Sequence, residues 1–311
     1  MMREALMTHP LDKLSLFSNK RLQFLYNSTM KASPFNGRPL LIATQHGKEQ
    51  VIAPVLERVL GVECFSNSEF DTNTLGTFSG EVERTLDPLA AARAKCLHAM
   101  EAHQCDLAVA SEGSFGPHPA IPFAQADDEL LICIDKKLNL EIVVRALSMD
   151  TNFNAMTIRT KAELLEFAKK VQCPEHGVIL RPEKEVYEPI YKGITSLEEL
   201  VHAFKTLKYH YESVYAETDM RAMVNPSRMK VIGEAAEKLA EKMASRCPEC
   251  DRPGFGITEV QKGLPCGWCG QPTNSILKHI YKCQGCSFSK TVLHPKGKTK
   301  EDPMYCDFCN P

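Results

Sequence analysis

Short apolar runs alternate with segments of helical periodicity along residues 36–225. The runs are bounded by polar or glycine residues, which is typical of buried strands. They span residues 39–44, 62–65, 106–111, 130–134, 140–147 and 176–180. The fourth and fifth flank a polar turn and predict a hairpin.

Between these runs, apolar residues recur at helical spacing. Capping signals mark where the helices begin: Asp87 precedes a proline, and Thr160 stands three residues before Glu163. The predicted helices span residues 48–60, 87–100, 160–171, 196–207 and 226–246. The alternation predicts an α/β domain over residues 36–245, with a mixed sheet and flanking helices. Residues 1–35 lack a coherent period and are predicted to be an N-terminal tail or an appended helix.

Composition excludes several classes of protein. The 311 residues are 43% hydrophobic and 24% charged, which excludes a mainly disordered chain, a coiled coil and a collagen-like fibre. The net charge of −2 argues against a protein that coats nucleic acid or an anionic membrane through bulk charge. Apolar runs are far shorter than the ~20 residues needed to cross a bilayer, so no membrane partner is expected. Charged residues interrupt residues 11–26, so no signal peptide is predicted and a cytoplasmic location is expected.

Eight of the 13 cysteines lie at the C-terminal end as four C-x-x-C pairs. The pairs are Cys247/Cys250, Cys266/Cys269, Cys283/Cys286 and Cys306/Cys309. In a reducing compartment, paired thiols favour metal over disulfides. The gap is 15 residues between the first and second pairs and 19 residues between the third and fourth pairs, which is typical of zinc ribbons. Residues 246–311 are therefore predicted to bind two structural Zn²⁺ ions.

The spacing leaves the pairing of the zinc ligands open. Sequential use, first pair with second and third with fourth, is the prediction, and a crossed arrangement is the alternative. A redox role for the pairs is disfavoured because all four have ribbon spacing. The five remaining cysteines stand singly and are interpreted as small buried hydrophobes.

Lysines dominate the charge of the predicted ribbon. Seven of them lie between Glu259 and Glu301, a segment without an acidic residue. Such a surface suits an RNA or protein partner, and the alternative is a solvated lysine face on a small module.

Three places near predicted strand ends carry residues suited to chemistry. Segment 44–48, Thr-Gln-His-Gly-Lys, puts Lys48 in a first helical turn, where backbone N–H groups favour a phosphate. Glu112 follows the third predicted strand, and Arg93 lies on the helix that comes after Glu81. Functional sites in α/β sheets gather at such strand ends.

In residues 38–120 the chain resembles the inosine-triphosphatase/Maf-like nucleotide pyrophosphatases, particularly the inosine/xanthosine triphosphatases. Their Thr-Asn-x-x-Lys motif is similar to segment 44–48, with Gln45 in place of asparagine. Their second motif, Glu-x3-Thr-[Phe/Leu]-x3-Ala-x2-Lys-Ala, is matched by Glu81, Thr85, Leu86, Ala90, Arg93 and Ala94. Their acidic residue followed by glycine is matched by Glu112 and Gly113.

The resemblance implies two lobes with a central cleft that binds a nucleoside triphosphate with Mg²⁺ or Mn²⁺. It implies cleavage between the α- and β-phosphates. Lys48 and Arg93 would clamp phosphates, while Glu81 and Glu112 would hold the metal and activate water.

The same resemblance assigns substrate binding to the loop after the first strand, at Thr44, Gln45 and His46. The family's Ser-His-Arg segment for base recognition is absent, and Arg221 stands nearest to its place. Arg221 is therefore a candidate phosphate or base contact, with a structural salt bridge as the alternative.

The sequence thus predicts a metal-dependent nucleoside triphosphate pyrophosphatase-like hydrolase that acts on a non-standard or modified nucleotide. The alternative is an adaptor that binds nucleic acid or protein through its zinc ribbon, with a catalytically silent nucleotide-binding α/β domain.

Overall fold

The first lobe is built on a five-stranded mixed sheet. In this computed structural model, which describes residues 33–44, 46–66 and 87–311, the strand order is β2-β1-β3-β4-β5. The strands are β1 (Pro39–Ala43), β2 (Glu63–Phe65), β3 (Leu107–His118), β4 (Ile121–Asp135) and β5 (Leu140–Ser148). β1 is parallel to β2 and β3, whereas β3, β4 and β5 are antiparallel. β1 therefore ends beside Ala110, in the first half of β3, and β3 continues to His118.

Helices cover both faces of this sheet. On one face, α1 (Glu49–Leu60) packs against α5 (Pro226–Ala244), and both bury their apolar stripes on the sheet. On the other face lies α2 (Pro88–Ala102), which buries mainly small residues and so approaches the strands closely. Asp87 caps α2 by accepting from two backbone N–H groups, and Gly61 ends α1 with a positive φ of 71°.

The second lobe is an antiparallel sheet of order β6-β9-β7-β8. Two helices, α3 (Lys161–Lys170) and α4 (Leu197–His210), cover one of its faces and form a separate hydrophobic core. The strands are β6 (Ala155–Ile158), β7 (Val178–Arg181), β8 (Tyr191–Ile194) and β9 (Val214–Thr218). The lobe is inserted between β5 and α5 of the first lobe, so the chain crosses between the lobes twice.

The two lobes are joined by polar contacts at the start of α5. The Asn225 side chain caps this helix and donates to Asn152 Oδ1 at 3.0 Å. Gly177 N–H donates to the Val224 carbonyl at 2.8 Å, and the second lobe's free sheet face turns toward Phe115 of β3. A narrow cleft therefore lies between the lobes, beside Phe115 in the second half of β3.

The C-terminal module is a three-stranded antiparallel sheet of β10 (Gly256–Lys262), β11 (Ile276–Lys282) and β12 (Ser289–Leu293). The predicted fold class, a mixed α/β sheet with flanking helices and a small cysteine-rich C-terminal module, is confirmed. Of the predicted N-terminal tail, residues 1–32 lie outside the described part. None of the described helices is long and apolar enough to span a membrane.

Candidate functional site

Two groups of four cysteines form the metal sites of the C-terminal module. In each group, the Sγ atoms all lie within 4.8 Å of one another. A tetrahedral zinc ion with Zn–S bonds of about 2.3 Å places its sulfurs ~3.8 Å apart. The closest pairs of Sγ atoms across the knuckles lie 3.5–3.9 Å apart, so each group can hold a structural metal ion such as zinc. We call Cys247, Cys250, Cys283 and Cys286 the inner tetrad, and Cys266, Cys269, Cys306 and Cys309 the outer tetrad.

The predicted sequential pairing is wrong, because the pairs are interleaved: the first joins the third, and the second joins the fourth. The antiparallel strands explain this. The first pair precedes β10 and the third follows β11, and Gly256 at the start of β10 is opposite Lys282 at the end of β11. The end of β12 returns to the opposite end of the sheet, where Leu293 is opposite Lys278. The fourth pair therefore meets the second.

Backbone N–H groups stabilise the thiolates of these knuckles. Trp268 N–H donates to Cys266 Sγ at 3.4 Å, and Gly285 N–H donates to Cys283 Sγ at 3.2 Å. Donors from the knuckle backbone lower the pKa of Cys266 to about 7. Thiolate is the form that binds metal, and four sulfurs per ion leave no open coordination position for catalysis.

The inner tetrad is attached to the first lobe. Arg252, next to its first knuckle, donates to the carbonyls of Leu138 and Asn139 in the β4–β5 turn. Gln284, inside its second knuckle, accepts from Glu141 N–H at 3.2 Å and donates to Glu141 O at 2.6 Å. Gln284 thus pairs with the outer edge of β5.

The second candidate site lies beside the cleft, where β1 ends next to the first half of β3. Lys48, predicted to bind phosphate, is only 5% exposed and donates from Nζ to Ser111 Oγ at 2.9 Å. Burial, aided by the positive charge of Arg228, lowers the pKa of Lys48 to about 7. Thr44 follows the last residue of β1 and is also buried. The predicted end of the third strand at Ser111 is wrong, because β3 continues to His118 and Ser111 and Glu112 both lie within it.

Glu112 lies on the opposite face of β3 from Ser111 and is also buried. The Lys95 ammonium of α2 forms an ion pair with its carboxylate. Arg93 was predicted to be the phosphate-binding cation of this helix, but its side chain lies elsewhere. Arg93 binds Glu141 through two hydrogen bonds of 2.9 and 2.5 Å, near the opposite end of the sheet. Two residues further along α2, Lys95 reaches Glu112 instead.

His46 lies among positive charges. Burial and the charges of Lys48, Arg228, Arg221 and Lys95, in decreasing order, lower its pKa to about 4. The imidazole is therefore neutral near pH 7. These four cations therefore lie near enough to act on the loop after β1.

Arg228, Glu129 and Asp127 form a buried charged group that sequence reasoning missed. Arg228 and Glu129 are fully buried, and Arg228 Nε donates to Glu129 Oε1 at 2.6 Å. Arg228 also donates to the Met220 carbonyl at 2.5 Å and stacks on Phe115, with 5.1 Å between its guanidinium carbon and the ring centroid. Burial, then the negative charge of Glu129, raises the pKa of Asp127 to about 8.

Gly113 allows the Arg228 and Glu129 side chains to lie against the backbone of β3. A Cβ added to Gly113 would lie 2.6 Å from Arg228 Nη2 and would overlap the Glu129 carboxylate. The alternating acidic residues Asp127 and Glu129 were the signal in the sequence that could have revealed this group. They precede residues 130–134, the apolar run where this strand was predicted to begin.

Arg221 stands at the junction of the lobes, where its Nε and NH2 groups donate to the buried Asp219 carboxylate, the shortest bond being 2.6 Å. This ion pair with Asp219 is the structural salt bridge that was the alternative interpretation of Arg221. Arg221 nevertheless remains near enough to His46 to affect its pKa.

Gln45 and Glu81 lie outside the described residues, as does Thr85 of the second motif. Of the two carboxylates predicted to hold Mg²⁺ or Mn²⁺, Glu112 is therefore the one that lies in the described part of the chain. In the described part of the chain, the two cysteine tetrads are the only clusters of three or more metal-ligating side chains. Glu112 is one carboxylate already paired with Lys95, so the described residues do not form a preformed site for either ion.

Residues 95–311 match the family described as a domain of unknown function, DUF6671. The chain belongs to this family. The matched region covers more than half of the chain, including Glu112, Arg228 and both tetrads.

No curated protein matches the sequence. Among solved structures, the chain is similar to the crystal structure of protein VC0702 from Vibrio cholerae. The two are 12% identical, the similarity covers 66% of this chain and 93% of that one, and the TM-score is 0.29. A likeness at this TM-score supports no conclusion about fold or function.

Proposed function

We propose that this member of the DUF6671 family binds a nucleoside polyphosphate in the cleft and hydrolyses one of its phosphoanhydride bonds. The observation that carries the proposal is that the charges of Lys48, Lys95, Arg221 and Arg228 all act on His46 in the loop after β1, with Lys48 and Arg228 buried beside it. The tetrads agree with the reducing, cytoplasmic compartment expected from the cysteine pattern.

The cations suit a polyphosphate by charge and by position. Lys48 stands at the N-terminus of α1, where backbone N–H groups and the helix dipole also favour an anion. Because burial holds the pKa of Lys48 near 7, a bound phosphate would restore the ammonium and draw a proton from solution. Binding of the anion and protonation of Lys48 are therefore coupled.

Hydrolysis requires a group that activates water, and we assign this role to Glu112. Lys95 neutralises its carboxylate in this structure. A phosphate that takes Lys95 as its partner would leave Glu112 to accept a proton from water. The resemblance also implies Mg²⁺ or Mn²⁺. The described residues form no preformed metal site, so we assign no step to a metal.

Turnover of a nucleotide panel tests this proposal. The full chain should release pyrophosphate or phosphate from at least one standard or modified nucleoside triphosphate, assayed with Mg²⁺, with Mn²⁺ and with neither. Glu112→Gln should lower kcat by about 10²-fold or more, the range typical of a lost general base. The matched control is Glu237→Gln, which removes an exposed carboxylate paired with Arg58 and should leave kcat unchanged.

Two results would count against the proposal. One is that the panel binds without turnover, which would favour the silent nucleotide-binding domain of the adaptor interpretation. The other is that Glu112→Gln keeps full activity. Unfolding midpoints measured for both variants separate a lost reaction from a lost fold.

A further inference from the structure

We propose that the outer end of the ribbon is a binding surface for single-stranded nucleic acid. Each knuckle of the outer tetrad carries an exposed aromatic ring at its tip: Trp268 is 80% exposed and Phe308 is 67% exposed. Tyr305, which precedes the second of these knuckles, is 58% exposed. The four cysteines hold both knuckles on one metal position, so the two rings have a fixed spacing.

Exposed lysines lie at the same end of the ribbon as these rings. Lys262 ends β10 at this end of the sheet, and Lys296 and Lys300 lie on the segment that leads to the fourth cysteine pair; all three are exposed. Lys300 borders the first knuckle, because a Cβ added to Gly267 would lie 3.9 Å from Lys300 Cβ. Positive charge therefore lies beside the aromatic tips.

The nearby carboxylates are engaged within the module. The buried Glu301 accepts from Lys298 at 3.1 Å, and Asp302 accepts from Met304 N–H at 2.9 Å. Asp307 accepts from the Asn274 amide at 3.1 Å. These contacts fold the knuckle segment, and the exposed lysines remain to meet an anionic partner.

Exposed rings with neighbouring cations favour a single strand over a duplex. The bases of a single strand are free to stack on aromatic side chains while its phosphates meet lysines. In a duplex the bases are stacked on one another, so protruding rings gain little.

The inner end of the ribbon provides the contrast. There Arg252 and Gln284 bind the first lobe, and Phe255 packs with Tyr281 and Phe288 at centroid distances of 5.8 and 5.6 Å. The module is thus anchored at one end and presents its aromatic tips at the other.

Emission of Trp268 provides a direct test, because it is the only tryptophan in the chain. The zinc-loaded full chain is titrated with an oligothymidylate of about 16 nucleotides and with a duplex of equal length. We expect the single strand to quench the emission and to bind more tightly than the duplex. The affinity should fall with salt, with a log–log slope of about −0.7 for each phosphate contact.

Variants separate stacking from general charge. Trp268→Ala and Phe308→Ala, followed by anisotropy of a labelled strand, should each weaken binding by roughly 5- to 150-fold. Tyr209→Ala removes an equally exposed ring from α4 and should have no effect. Lys300→Ala should make the salt slope shallower by about 0.7, while Lys170→Ala on α3 should leave it unchanged.

Three outcomes would overturn the proposal: no binding at low salt, equal affinity for the duplex, or Trp268→Ala binding like the parent protein. Self-association that Trp268→Ala abolishes, without oligonucleotide binding, would instead assign the surface to a second copy of the chain. Zinc content of two ions per chain in each variant shows that the module is folded. Because the cleft is not involved, these outcomes are independent of the nucleotide assay.

Discussion

The ribbon and the cleft both contain charged groups that require a partner, thiolates in the ribbon and buried cations in the cleft. The two regions provide these partners differently. In the ribbon, four sulfurs surround each metal position and the site is closed. In the cleft, buried lysines and arginines are balanced by a hydroxyl and a few carboxylates, and their charges crowd around His46. The most specific motif in the sequence thus forms two closed structural sites, whereas the proposed ligand site rests on weaker motifs.

Loss of a metal site is the largest change that the comparison predicts. Cys306→Ser should unfold the outer end of the ribbon, since a structural zinc contributes apparent free energies of about 10 kcal/mol to small modules. The two lobes should keep their fold, because their three hydrophobic cores lie outside the ribbon. Limited proteolysis with mass spectrometry measures this directly.

The matched control for that experiment is Cys64→Ser, which removes a cysteine outside both tetrads. It should retain two zinc ions and the parent cleavage pattern. If Cys306→Ser also exposes both lobes to the protease, the ribbon and the lobes do not fold as separate units.

Removal of one partner from the buried ion pair of the cleft is predicted to cost less than loss of a metal. Arg228→Met leaves Glu129 buried without its cation and should lower the free energy of unfolding by about 3–5 kcal/mol. Adding Glu129→Leu should recover much of this loss, because the second charge is then gone as well. Denaturant titrations of the parent, the two single variants and the double variant give the coupling energy. A double variant no more stable than Arg228→Met would contradict the pairing.

The smallest predicted effect distinguishes two cations on the same helix. Lys95→Gln should weaken binding of a nucleoside triphosphate by about tenfold, the change expected when one charge-assisted contact is lost. Arg93→Gln should change it less than about twofold, since Arg93 is held by Glu141 at the other end of the sheet. Calorimetric titration measures both. The reverse order of effects would restore the phosphate-binding role that the resemblance implies for Arg93.

The sequence predicted the elements whose patterns are local. The apolar runs of β1 and β3 and the caps of α2 and α3 lie where expected, since strand and helix signals act over a few residues. β6, β8 and β9 were not predicted. β6 is a four-residue strand with three exposed positions, so it carries no alternating pattern.

Contacts between distant parts of the chain explain the other differences. The interleaved tetrads depend on which strand ends meet, and the spacing of the cysteines is the same for either pairing. The pairing of Arg228 with Glu129 joins residues 99 positions apart. The polar residues at the start of β4 therefore gave no sign of burial. The ion pair of Lys95 with Glu112 was not predicted, because the packing of α2 on the sheet decides which residue of the helix faces Glu112.

Proton uptake during nucleotide binding tests the proposed role of the cleft most directly. Titration calorimetry at pH 8, with a non-hydrolysable nucleoside triphosphate in two buffers of different ionisation enthalpy, counts the protons bound. At this pH Lys48, with a pKa of about 7, is largely neutral in the free protein, and a bound phosphate raises its pKa. We predict binding with uptake of up to one proton by the parent protein, and weaker binding without that uptake by Lys48→Met. Absence of binding, or equal affinity and equal proton uptake in the two proteins, would contradict the account.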